Sequence, residues 1–264
     1  MNHSDMVKRL SCVTAYSCQY DQRFIYYIYV PRNYGQSGAP AAYDLMVLIH
    51  GTERAAETYR NKFKDFANKN NCVILAPLFP AGTVEPNNLE NYSLTRYQGT
   101  AYDLILLKMI EEAAQRFPII THKFWVHGFS AGGQFAASFL YLHPDRLHAV
   151  SIGAPGEVTH PRWDKTYPTG LNGFVEFFNQ RCDLDNLRQI PLQIVVGELD
   201  ISPRPAQDEA PNRLARSRLL FNNLRRAGME GRLDVVPEVG HDGFKLLPAV
   251  FDFFEKTLTR RESE

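Results

Sequence analysis

The stretch FWVHGFSAGGQFAASFLYLHP (124–144) decides the fold. It opens on an apolar, strand-like run, tightens through small residues around Ser130, and continues with the apolar spacing of a helix. Gly128-Phe129-Ser130-Ala131-Gly132 fits G-x-S-x-G. On a sharp strand-to-helix turn that pattern holds a serine in a strained backbone conformation, and the flanking glycines let strand and helix crowd past it. The five-residue pattern alone is common enough to arise by chance. A strand leading in and a helix leading out give it weight.

Elements alternate on both sides of this turn. Residues 10–18 and RFIYYIYVP (23–31) read as strands, followed by an exposed loop through GQSGAPAAY. DLMVLIHG (44–51) and CVILAPLFP (72–80) are short apolar runs suited to strands buried on both faces, with a helix over 56–70 between them. The turn-rich segment 81–97 reads as a long loop, and AYDLILLKMIEEAAQRF (101–117) as an amphipathic helix. Beyond the serine come strands at 148–155, 192–200 and 232–240 and helices at 211–228 and 243–258. Residues 156–178 lack periodicity and read as a cap-like loop insertion. The pattern predicts an α/β fold: one doubly wound, mostly parallel sheet of about eight strands with an antiparallel N-terminal edge, in a single domain over 1–264.

A serine hydroxyl is a weak nucleophile at neutral pH and needs a base oriented by an acid. VVGELD places Asp200 just after a predicted strand, and EVGHDGF places His241 between the last strand and last helix. The carboxyl ends of parallel strands share one edge of a sheet, so Ser130, Asp200 and His241 are expected to converge there as nucleophile, acid and base. Glu198 and Asp208 are nearby alternatives for the acid, and Asp242 reads as a helix cap. An oxyanion hole is expected from the backbone N–H of Ala131 and that of Thr52, in the loop HGTERAAE (50–57). His50 would orient that loop, and His127, beside the turn, would be structural. His143, His148 and His160 read as surface or loop residues.

YVP, LIHG, GFSAGGQFAASFLYLHPDRLHAVSIGAPG, VGELD and GHDGF together resemble the α/β-hydrolase superfamily from about residue 22 onward. More narrowly they resemble its polyhydroxybutyrate depolymerase-like and feruloyl esterase-like branch. The resemblance implies a cofactor-free serine esterase with Ser130 as nucleophile, Asp200 as acid and His241 as base. Secreted members of that branch usually carry signal peptides and disulfides. The N-terminal residues here contain no continuous apolar block of the signal type, which favours a small ester, thioester or lactone over an extracellular polymer. The same triad also supports carbon–carbon bond hydrolysis or a lyase reaction, and the scaffold can persist as a non-catalytic binding module.

Phe129, Tyr97 and Trp163 are candidates for the substrate pocket, together with Phe79, Tyr92, Tyr167 and Phe174 on loops expected to border the site. Arg54 and Arg96 are candidates to recognise a substrate carboxylate, against their ordinary reading as solvated surface residues. Lys plus Arg and Asp plus Glu both number 29 in 264 residues, so no basic excess points to nucleic acid. No apolar run approaches the roughly 20 residues that span a bilayer. Four scattered cysteines, Cys12, Cys18, Cys72 and Cys182, suit reduced thiols in a cytoplasmic protein better than a metal site, although a Cys12–Cys18 bridge stays open. The expected partner is a small-molecule substrate, with no nucleic acid, membrane, metal or organic cofactor, and a homodimer as the default assembly.

Overall fold

The computed structural model describes residues 14–203 and 210–262. The chain divides into two compact units, Met1–Val126 and His127–Glu264. An eight-stranded sheet is built from β1 (Ala15–Ser17), β2 (Ile25–Tyr29), β3 (Asp44–Ile49), β4 (Cys72–Leu78), β7 (Phe124–Phe129), β8 (Leu147–Gly153), β9 (Leu192–Gly197) and β10 (Gly231–Val236). Its strand order is β1-β2-β4-β3-β7-β8-β9-β10. β1 and β2 run antiparallel, as does β2 against β4, whereas β3–β4, β8–β9 and β9–β10 are parallel. The mostly parallel sheet with an antiparallel N-terminal edge is therefore the one anticipated.

In the first unit, β3 is DLMVLI and β4 is CVILAPL, and nearly every residue in both is buried. Uninterrupted apolar runs of this kind suit strands covered on both faces. The helix expected over 56–70 is two helices, α1 (Ala56–Lys62) and α2 (Lys64–Asn70), separated at buried Phe63. The expected loop 81–97 carries a short 3₁₀ turn, Asn91–Leu94, and its end pairs in a two-stranded hairpin, β5 (Arg96–Tyr97) with β6 (Thr100–Ala101). The helix α3 (Tyr102–Ala114) follows directly. Phe24, Phe79 and Tyr102 meet edge to face and Tyr92 lies tilted against Phe79, with ring centroids 5.4–5.9 Å apart. Phe79 and Tyr92 are fully buried, so they serve this core and not the border of a pocket.

In the second unit, β7 leads into α4 (Ala131–Leu142), a helix buried along most of its length. The segment expected as an irregular insertion folds on itself: the Leu171 N–H donates to the Arg162 carbonyl at 2.8 Å and the His160 N–H to the Thr169 carbonyl at 2.9 Å. It ends in α5 (Phe174–Phe178), and α6 (Leu184–Leu187) comes after it. His160 is buried and not on the surface, because Asn223 Nδ2 lies 3.2 Å from its Nδ1. Phe174 is likewise a core residue, packed on Phe178 at 4.5 Å. The unit closes with α7 (Arg213–Arg226) and α8 (Leu247–Glu262).

A chain of polar groups, buried at His127, Ser151 and Gln193 and half-buried at Asp234, crosses the strands of this unit. His127 Nδ1 lies 3.0 Å from Ser151 Oγ, and Ser151 donates to Gln193 Oε1 at 2.7 Å. Gln193 Nε2 in turn donates to Asp234 Oδ2 and to the Ala249 carbonyl. Burial lowers the His127 pKa to about 4, so the ring is neutral at physiological pH. Cys72 and Cys182 are free thiols, Cys18 donates to Glu112 Oε1 at 3.6 Å, and Cys12 lies outside the described residues. Among the described residues no helix is long and apolar enough to cross a membrane.

Candidate active site

Ser130 sits between β7 and α4 with φ 57° and ψ −117°. A non-glycine residue in that region costs about 1–3 kcal/mol and persists only where its surroundings hold it. Here the Ser130 N–H donates to the Gly153 carbonyl at 2.8 Å, while its own carbonyl accepts from Gln134 at 3.0 Å and Gly156 at 3.2 Å. Backbone crowding requires glycine at Gly128 in the motif and at Gly133 just beyond it. A Cβ on Gly128 would stand 2.0 Å from the Gly132 oxygen, and one on Gly133 would stand 2.5 Å from the Gly153 oxygen.

The loops after β9 and β10 deliver the other two residues. A Cβ on Gly197 would lie 2.2 Å from the Val239 oxygen, so the end of β9 presses against the loop bearing His241. The Leu199 N–H bonds the Val239 carbonyl at 2.8 Å and fixes that contact. The result is a continuous relay: His241 Nδ1 is 2.6 Å from Asp200 Oδ2, and His241 Nε2 is 3.0 Å from Ser130 Oγ. A carboxylate only accepts, so the Nδ1–H points at Asp200, leaving Nε2 to accept the Ser130 hydroxyl proton. Asp200 is 3% exposed and Ser130 6%, whereas the His241 side chain keeps 32% of its surface. The Phe129 ring lies against the imidazole, centroids 4.6 Å apart.

Glu198 is not part of the relay, because its Oε2 accepts from the Glu238 N–H at 3.2 Å; Asp208 lies outside the described residues. Asp242 Oδ1 accepts from the N–H groups of Phe244 and Lys245 at 3.0 and 3.2 Å, capping the turn that precedes α8. Ala131 is the first residue of α4, so its N–H is one of those with no acceptor inside the helix.

Thr52 lies in the turn after β3, in the first unit. There His50 accepts the Phe79 N–H on Nε2 at 3.0 Å, holds Nδ1 2.8 Å from the Gly51 carbonyl, and receives the Tyr92 hydroxyl on its own carbonyl at 2.8 Å. Burial takes its pKa down to about 4. This neutral, fully hydrogen-bonded imidazole shapes the loop. Arg54 spends its guanidinium on the Thr52 and Leu89 carbonyls, and Arg96 pairs with buried Asp103 at 3.0 Å. Tyr97 is half-buried in the β5–β6 hairpin, and Trp163 is 53% exposed.

A residue absent from the sequence reading also reaches the serine. Arg213, 6% exposed, donates from Nη2 to Ser130 Oγ at 3.4 Å. A cavity of about 660 Å³ bordered by Ile190, Leu192, Gly231, Arg232 and Phe253 lies at the amino ends of β9 and β10, away from this relay.

The strand order, the antiparallel edge and a strained serine between strand and helix define the α/β-hydrolase fold of the esterase type. No protein-family model and no curated protein matches the sequence. Among solved structures, the chain is similar to LpqC, a poly(3-hydroxybutyrate) depolymerase from Bordetella parapertussis, at 25% identity over 88% of this chain and 83% of that one, with a TM-score of 0.68. It is similar in fold to an S-formylglutathione hydrolase from Agrobacterium tumefaciens, at 15% identity over 94% of both chains and a TM-score of 0.68. A ferulic acid esterase matches at 17% identity over 94% and 96%, with a TM-score of 0.67. The resemblance drawn from the motifs holds at the level of fold.

Proposed function

We propose that the protein is a serine hydrolase of carboxylic esters. The observation that carries this reading is the relay from Asp200 Oδ2 through His241 to Ser130 Oγ, at 2.6 and 3.0 Å, on a serine held at φ 57°. His241 Nε2 takes the hydroxyl proton as Oγ attacks the acyl carbon. The N–H groups of Ala131 and Thr52 hold the developing oxyanion, each such donor being worth roughly 2.7–4 kcal/mol. The imidazolium, stabilised by Asp200, then protonates the departing alcohol and leaves an acyl-serine. Water, deprotonated by the same Nε2, releases the acid and restores the hydroxyl.

We further propose that residues 1–264 act as one catalytic domain on a small ester, thioester or lactone, in the cytoplasm, without metal or organic cofactor. The free thiols of Cys72 and Cys182 suit a reducing compartment. A fluorophosphonate probe should label Ser130 in the folded protein and fail to label Ser130→Ala. Folded wild-type protein that neither takes the probe nor hydrolyses any p-nitrophenyl ester above the Ser130→Ala background would rule this function out.

A further inference from the structure

We propose that Arg54 is a positioning residue of the oxyanion hole: its guanidinium locks the turn after β3 so that the Thr52 N–H is held in place for the developing oxyanion. This deepens the reading of Thr52 as an oxyanion donor and rests on it.

Gly51-Thr52-Glu53-Arg54 is a tight turn closed by the Arg54 N–H, which donates to the Gly51 carbonyl at 3.1 Å. The same carbonyl lies 2.8 Å from His50 Nδ1. His50 Nε2 accepts the Phe79 N–H at 3.0 Å, so the proton of this neutral ring is on Nδ1 and is donated to Gly51. A peptide unit is planar and trans, so two donors on the Gly51 oxygen fix the opposite direction for the Thr52 N–H. They also polarise that amide, which makes it a stronger donor.

The Arg54 side chain holds the next peptide. Its Nη1 donates to the Thr52 carbonyl and its Nη2 to the Leu89 carbonyl, while the guanidinium carbon stands 5.4 Å from the centre of the Tyr92 ring. Tyr92 in turn donates its hydroxyl to the His50 carbonyl at 2.8 Å. Arginine and tyrosine together tie the turn, at residues 50 and 52, to the segment that carries the Asn91–Leu94 3₁₀ turn. Arg54 itself has φ 56°, a left-handed conformation that costs an arginine free energy and persists only where contacts hold it. The charge adds to the geometry. Burial is the main cause of the low His50 pKa and the Arg54 charge a second one, so the loop lies in a positive field that favours an oxyanion over the neutral carbonyl it forms from. A lysine ammonium would keep the charge but, as a single point, not the planar fork.

Arg54→Met keeps the apolar stem of the side chain and removes both donors. Its kcat for p-nitrophenyl acetate, counted per site labelled by fluorophosphonate at completion, should fall about 10- to 100-fold, with KM within about threefold of wild type. Benzyl trifluoromethyl ketone adds Ser130 Oγ to its carbonyl carbon, giving an oxyanion while the hydroxyl proton passes to His241. Its Ki should rise by the same factor as kcat/KM falls. Arg54→Lys should lie between Arg54→Met and wild type in both quantities. A merely structural arginine would change the number of labelled sites and leave the rate at each unchanged. That result overturns the inference, as does a higher KM at unchanged kcat, or a lower kcat with Ki at its wild-type value. If Arg54→Met does not fold, Arg54→Lys decides: a parallel shift of kcat and Ki supports the clamp, and wild-type values overturn it. With active wild-type protein these outcomes bear on Arg54 alone. Wild-type protein that takes no label and hydrolyses no ester overturns the clamp together with the proposed function.

Discussion

Replacing Asp200 by asparagine changes one atom's chemistry and almost nothing of its shape. Asp200 Oδ2 accepts the His241 Nδ1–H at 2.6 Å, which keeps Nε2 bare toward Ser130. An asparagine amide can donate from the same place and turn the imidazole into the other tautomer, whose Nε2–H cannot accept the serine proton. Among the described residues Glu198 does not stand in for it: position 200 is 3% exposed, and Glu198 is held by the Glu238 N–H. The corresponding change in other serine hydrolases costs about 10⁴ in kcat, roughly 5 kcal/mol of transition-state stabilisation. Steady-state hydrolysis of p-nitrophenyl acetate at pH 7–8 should therefore fall by about three to four decades, with KM little changed. Fluorophosphonate labelling should slow in parallel, while Glu198→Gln stays within a few-fold of wild type. An Asp200→Asn enzyme that keeps more than a tenth of wild-type kcat would refute the assignment of the acid.

Other outcomes follow from the same geometry. Gly128→Ala forces a Cβ to within 2.0 Å of the Gly132 oxygen, a backbone atom that cannot swing away, and urea denaturation should show a loss above about 2 kcal/mol. Gly197→Ala pushes on the Val239 carbonyl and should lower kcat more than it raises KM, because it shifts the His241 loop and not a binding surface. Stability should also fall in acid. His50 and His127 are held near pKa 4 by burial, whereas the unfolded chain titrates them near 6.5. The unfolded state thus binds more protons between those values, and stability that is complete above pH 6.5 is lost as pH drops toward 4. The loss at pH 5 is about 2 kcal/mol per histidine; denaturation midpoints that stay flat from pH 7.5 to 5 would contradict it. Arg96→Met removes the cation that pairs with the buried Asp103 carboxylate at 3.0 Å, which should cost about 1.5–3 kcal/mol by the same assay.

The central strands are readable because they are buried on both faces, so composition alone separates them from the turn-rich segments around them. DLMVLI, FWVHGF and LQIVVG are buried nearly throughout, and each ends on a residue or turn that delivers something to an edge of the sheet. The break at Phe63 was not readable, since 56–70 keeps an apolar helical stripe across it. The β5–β6 hairpin is not legible in the sequence because two-residue strands carry no period. Arg213 left a signal that could have been followed. Leu220 and Leu224 mark the buried face of α7, and stepping back by helical spacing lands on Ser217, Arg216 and Arg213. Charged residues on the inward stripe of a helix invite a question about what they meet. The aromatic residues assigned to the pocket failed for the opposite reason: Phe79, Tyr92 and Phe174 lie in connecting segments yet fill cores, and residue type alone does not separate the two uses.

The polar chain from His127 through Ser151 and Gln193 to Asp234 has a consequence for how the sheet finds its alignment. Strands that are apolar on both faces gain nearly the same burial when displaced along one another, so hydrophobicity specifies their pairing weakly. Ser151 faces Gln193 in the observed pairing, and Gln193 reaches Asp234 two positions beyond its own partner Arg232. A slip of one position at β8 or β9 would turn Ser151 or Gln193 to the other face and break the buried bond between them, at roughly 1–3 kcal/mol. Four side chains thereby act as a key that accepts a single alignment, and through the ends of those strands they also determine where Ser130, Asp200 and His241 arrive.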